Sequence, residues 1–99
     1  MDVQEELRQV FIQDYKVLKS KRYNPIYFIR MLDEYGAVGT VKKLLAAKEP
    51  QTGLYRLKRL DCLKLSMEAR VCDERFSSLF TTEEVRKARA RLEEMENSV

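Results

Sequence analysis

The apolar residues at the start of the chain recur at steps of three and four. Val3, Leu7, Val10, Phe11, Tyr15 and Leu18 therefore fall on one stripe of a helix. No stretch longer than four residues alternates apolar with polar side chains, so nothing in the chain reads as a half-buried strand. This pattern restricts the fold to the all-α class. It predicts a long amphipathic helix over residues 3–21, with Asp2 as N-cap and Glu5 three residues on as its capping-box partner. Lys16, Lys19, Lys21 and Arg22 gather in its last turns, where positive charge suits the helix dipole.

Glycine and proline mark the next boundaries. Tyr23-Asn24-Pro25 stops the first helix, with Asn24 expected as N-cap and Pro25 at the first helical position of the second. Ile26, Phe28, Ile29 and Leu32 supply its buried face, and Gly36 reads as its left-handed terminator. A third helix is expected from Val38 to Ala47, with Val38, Val41, Leu44 and Leu45 inward and Gly39 open to a close helix approach. Glu49-Pro50 ends it. Thr52 caps a segment that buries Leu54 and Leu57, with Leu60 or Tyr55 beside them. Ser66 caps a short helix over Met67–Cys72, and Asp73-Glu74-Arg75 breaks it. Phe76, Leu79 and Phe80 form an apolar knot. Thr81 and Glu84 make a capping box for a final helix with the stripe Val85, Ala88, Leu92, Met95 and the surface pairs Glu83–Lys87 and Arg89–Glu93. Residues 97–99 are expected to fray. The expectation is one domain over 1–99: an N-terminal helix (1–22), a middle (23–81) and a C-terminal helix (82–97). Together they form a bundle of five or six helices, long at both ends and short between.

Ninety-nine residues fit one domain with a modest core. No apolar run approaches a membrane span, and the N-terminus is too polar for a secretory signal, so a cytoplasmic protein is expected. Cys62 and Cys72 read as free thiols packed in the interior. With no histidine, and with carboxylates placed at caps, turns and helix surfaces, no general acid or base stands out. The expectation is a non-enzyme without metal or cofactor. Glu68 reads as a first-turn carboxylate that accepts backbone N–H bonds or pairs with a nearby arginine; its functional alternative is an acidic hook for a partner.

The formal net charge is +3 and its excess lies in the middle. Residues 42–75 hold nine basic and five acidic side chains, against six and six in residues 1–41. Lys42, Lys43, Arg56, Lys58, Arg59, Lys64 and Arg70 are the candidate partner or nucleic-acid surface, with Tyr23 and Tyr55 as stacking area. A second candidate is a protein-docking edge of Tyr15, Lys19 and Tyr23, with Lys16 beside it.

From Tyr23 onward the chain resembles a functionally uncharacterised bacterial family of small helical modules, which stand alone or sit at the ends of restriction- and defence-type proteins. Tyr23-Asn24-Pro25 with Phe28, Gly36 with Lys42-x-Leu44-Leu45, Gly53-Leu54 with Leu57, Leu65-Ser66-Met67-Glu68-Ala69, and Phe76 to Thr81 carry the resemblance. The chain departs from that pattern at Ala37, where a second glycine is usual, and at Lys58, where an aromatic is usual. The resemblance implies an accessory role: an interaction or adaptor module that meets another protein in a phage-defence or mobile-element system. The alternative reading is a nucleic-acid-binding accessory protein that uses the basic 42–70 stretch on DNA or RNA.

Overall fold

The computed structural model describes residues 2–50 and 52–97, and these residues contain helices and no strand. Five α-helices follow one another: α1 (Val3–Ser20), α2 (Ile26–Ala46), α3 (Thr52–Arg59), α4 (Met67–Val71) and α5 (Thr82–Asn97). Single 3-10 turns at Leu63–Leu65 and Ser77–Leu79 lead into α4 and α5. Among the described residues no helix is long and apolar enough to cross a membrane.

Helix α1 starts as the sequence implies, with the Asp2 carboxylate accepting from the Glu5 N–H at 2.8 Å. The Glu5 carboxylate accepts from the Gln9 side chain. Two expectations fail at the next boundary. Pro25, not Asn24, occupies the cap position of α2, and the first helical residue is Ile26. The Asn24 side-chain oxygen accepts instead from the Tyr15 hydroxyl at 2.8 Å, which ties the reversal back to α1. The reversal itself passes through Arg22 in the left-handed region, φ +67°.

The second and third expected helices are two arms of α2 that meet at Gly36. Its φ of +76° and ψ of 176° lie where essentially only glycine is found, so the first arm ends there, as expected of Gly36, and the second starts at once across the kink. The bend also explains Gly39. A Cβ at that position would lie 3.1 Å from the Cβ of Tyr35 on the same helix, so the close approach is internal and not to a neighbouring helix.

Ser66 caps α4 by accepting from the Ala69 N–H at 3.0 Å. The Thr81–Glu84 box closes reciprocally, at 3.1 and 2.9 Å. The expected surface pairs on α5 are replaced: Glu83 pairs with Arg86, and Lys87 donates to the Ala47 carbonyl at the end of α2. Asn97 closes α5, while the fraying expected at residues 98 and 99 lies outside the described residues.

Helix α1 packs along α2, and α4 packs on α5. Leu7, Phe11, Val41, Leu45, Val71 and Phe76 lie at the centre of the main core, and Phe11 meets Phe28 edge to face at 5.1 Å. Burying each such side chain contributes about 1.5–3 kcal/mol. Val10, Phe28, Ile29, Leu79 and Val85 pack on this core half-buried, and Val3 stays exposed. A separate small cluster joins Leu18 of α1 to Leu57 of α3 and Cys62, with Tyr23, Leu60, Leu63 and Leu65 around it. This cluster fixes the C-terminal end of α1 beside α3.

Candidate functional site

Between the end of α1, the reversal after it, α3 and the start of α4 lies a cavity of about 60 Å³. Phe11, Leu18, Phe28, Leu54, Leu57 and Leu65 give it apolar walls. Tyr15 and Tyr23 line it from the expected docking edge, and Asp14 and Glu68 supply its two carboxylates. Tyr23 is placed by close packing. A Cβ on Gly53 would lie 2.5 Å from the Tyr23 hydroxyl, so the first turn of α3 accepts the phenol only because residue 53 is glycine. Burial raises the Tyr23 pKa, and the Arg56 guanidinium, 5.2 Å from the ring centre, pulls it partly back. Lys19 stands 5.9 Å from the Tyr15 ring centre. Two residues of the edge thus line the cavity, and the third stands beside one of them.

Both carboxylates are neutralised from behind. Arg70 of α4 grips Asp14 of α1 with two hydrogen bonds, at 2.8 and 2.7 Å. That bond holds the Arg70 guanidinium above its usual pKa, against the pull of burial. Asp14 is only 6% exposed, so this is an interior pair and not surface decoration. Glu68 lies 3.5 Å from Arg91 of α5, and both side chains are buried. Burial raises the Glu68 pKa, while its own backbone N–H and Arg91 oppose the rise. Arg91 also donates to the Leu44 and Ala47 carbonyls, at 3.2 and 2.8 Å, and so caps the C-terminus of α2. Glu68 therefore takes the arginine-paired role expected of it. The sequence reading missed Asp14 and Arg91, although the signal was present. Asp14 falls three residues after Phe11 and four before Leu18, and Arg91 three after Ala88 and four before Met95. Both sit on apolar stripes.

The basic set does not assemble as one patch. Lys42 pairs with Glu84 at 2.7 Å near the start of α5. Lys58 donates to the Met95 carbonyl near the end of α5, roughly 16 Å further along the axis. Arg70 is turned inward to Asp14, Lys43 stands over Tyr35 at 4.6 Å, and Arg56 stands over Tyr23. Arg59 and Lys64 are exposed, and among the described residues neither makes an ion pair.

What the fold does bring together is a different basic surface. The Leu18–Leu57–Cys62 contact sets the last turns of α1, with exposed Lys16, Lys19, Lys21 and Arg22, beside exposed Arg56 and Arg59 of α3 and Lys64 of the following turn. Asp61 is an exposed carboxylate in this neighbourhood, and the exposed Glu94 and Glu96 flank Met95, whose carbonyl Lys58 of α3 reaches. Averaging charge over residues 1–41 hides this end, because Asp2, Glu5 and Glu6 balance it from the far end of α1.

Cys62 is buried with its thiol donating to the Leu60 carbonyl, and Cys72 is half-buried with its pKa raised by burial. No family model, no curated protein and no solved structure matches this chain.

Proposed function

We propose that this chain is a non-catalytic interaction module that receives another protein at the Tyr15–Lys19–Tyr23 edge. The observation that supports the reading is that Tyr15 and Tyr23 line the cavity between α1 and α3, with Lys19 beside the Tyr15 ring. The two carboxylates inside are held by arginines, which leaves neither placed as a working acid or base. The family resemblance supplies the setting: an accessory of restriction, defence or mobile-element systems. A photo-reactive benzoylphenylalanine at position 19, compared with one at the exposed Glu94 of α5, tests the reading in cells that carry the native protein. The expected outcome is one discrete cross-linked protein from position 19 and none from position 94. Equal labelling from both, or none from either, removes it.

The second reading is nucleic-acid binding, and it is favoured by the basic end of the molecule rather than by the whole 42–70 stretch. Phosphate contacts give affinity that falls steeply with salt. A gel-shift titration at ~50 mM salt with no complex at tens of micromolar protein removes this alternative.

A further inference from the structure

The cavity mouth is ringed by unlike chemistry. Its walls are aliphatic and aromatic carbon, and its two carboxylates are already paired with Arg70 and Arg91. Outside it, Lys19 and Arg56 stand over the two tyrosines that line it. Beyond them lie Lys21, Arg22, Arg59 and Lys64, all exposed. An occupant that fits both parts is apolar at one point and anionic on either side of it.

Size then separates the classes of macromolecule. A volume of about 60 Å³ accommodates roughly four to six water-sized spheres, whereas a benzene ring occupies an engineered cavity of about 150 Å³. An aromatic ring or a nucleobase would enter only in part, and a phosphate backbone has no use for an apolar hole. A short branched aliphatic side chain fits. We infer that the cavity and its rim form a receptor for an acidic segment of a partner protein, with one valine-sized side chain inserted between Tyr15 and Tyr23 and flanking carboxylates drawn to Lys19 and Arg56. The inference rests on the docking reading above and adds the chemistry of what docks.

Calorimetric titration with an acetylated, amidated Glu-Asp-Val-Glu-Asp peptide tests it directly. The expected result is saturable binding that weakens about tenfold or more when the central Val is replaced by Ser, with a loss for Phe as well. Lys19→Glu and Arg56→Glu should each weaken the Val peptide and reduce its salt dependence. Leu65→Phe, which fills the cavity from its wall, should abolish the difference between the Val and Ser peptides, with thermal unfolding confirming that this variant remains folded. Equal affinity of the unmodified protein for the Val and Ser peptides would reduce the site to charge attraction and overturn the inference. So would tighter binding of an oligothymidylate of about twelve nucleotides than of the Val peptide, or no heat from any peptide at about millimolar concentration. If position 19 cross-links a protein while the peptides fail, the inference falls and the docking reading stands. If position 19 captures nothing, the docking reading falls and takes the inference of a partner segment with it, even where the peptides bind.

Discussion

Thr40 is fully buried on α2, and among the described residues its hydroxyl has no hydrogen-bond partner. It bonds neither the carbonyl three residues earlier nor the one four residues earlier, the two partners open to a helical threonine. An unsatisfied buried hydroxyl costs about 1–3 kcal/mol. Thr40→Val keeps the shape and removes the hydroxyl, so it should raise stability by about 1 kcal/mol in urea denaturation. Gly36→Ala meets no atom within 4 Å of the new Cβ, so its cost is purely conformational. A loss of about 1–3 kcal/mol is expected from the same measurement, and a neutral result would mean that the bend relaxes. The bend was legible because a glycine interrupts a long apolar pattern. The orphaned hydroxyl was not, because a helical threonine ordinarily bonds a carbonyl three or four residues earlier and nothing in the sequence marks the exception. Asn24 failed for a related reason. Its fit to a cap was local, and its partner Tyr15 lies nine residues away in sequence.

At the scale of elements, α5 is held largely by polar groups. Glu84 meets Lys42, Lys87 and Arg91 reach the end of α2, and the buried residues of α5 are Ala88, Arg91 and Met95. Arg91→Met leaves Glu68 buried without its countercharge and should cost about 3–5 kcal/mol near neutral pH. Glu68 already has a pKa raised above its ordinary 4.5, and losing Arg91 raises it further. A carboxyl raised on folding favours the folded state most below its unfolded value and loses that contribution as pH rises through the folded one. The deficit of the variant should therefore be smallest below about pH 4.5 and should grow towards neutrality. A deficit independent of pH would show that the ion pair is not its source. Glu84 works in the opposite sense. Burial pushes its pKa up, but the hydrogen bonds from Lys42 and Thr81 outweigh that and lower it. Its contribution is present above 4.5 and is lost as pH falls through the depressed folded value, so Glu84→Gln should flatten the acid limb of the stability curve. The caps of α1, α4 and α5 were readable because a cap and its recipient lie three residues apart. The polar clamp on α5 was not, because its donors and acceptors are separated by forty residues or more.

The whole molecule has two cores of unequal size, and they should open separately. The main cluster spans α1, α2, α4 and α5, whereas Leu18, Leu57 and Cys62 form a small one at the basic end. Fewer buried contacts mean a lower local opening free energy. Amide exchange should be faster at residues 57–60 than at residues 41–45, and Cys62 should react with a thiol reagent at the rate of that local opening. Equal protection of the two regions would make the molecule a single cooperative unit. The all-helical architecture was visible in periodicity alone, and most of the main core with it. The cavity and the basic end were not, because both depend on α1 and α3 meeting across a stretch of sequence that gives no sign of the contact.

The arginine that caps α2 also sets a timetable for synthesis. Arg91 follows Leu44 by 47 residues. At roughly 5–20 residues per second, the ribosome takes about 2–9 s to add it. During that interval the carbonyls at the end of α2 have only water to bind, and Glu68 emerges before its countercharge exists. The nascent chain can build its α1–α2 hairpin on the ribosome, but the finished packing of α4 must wait for α5 to emerge.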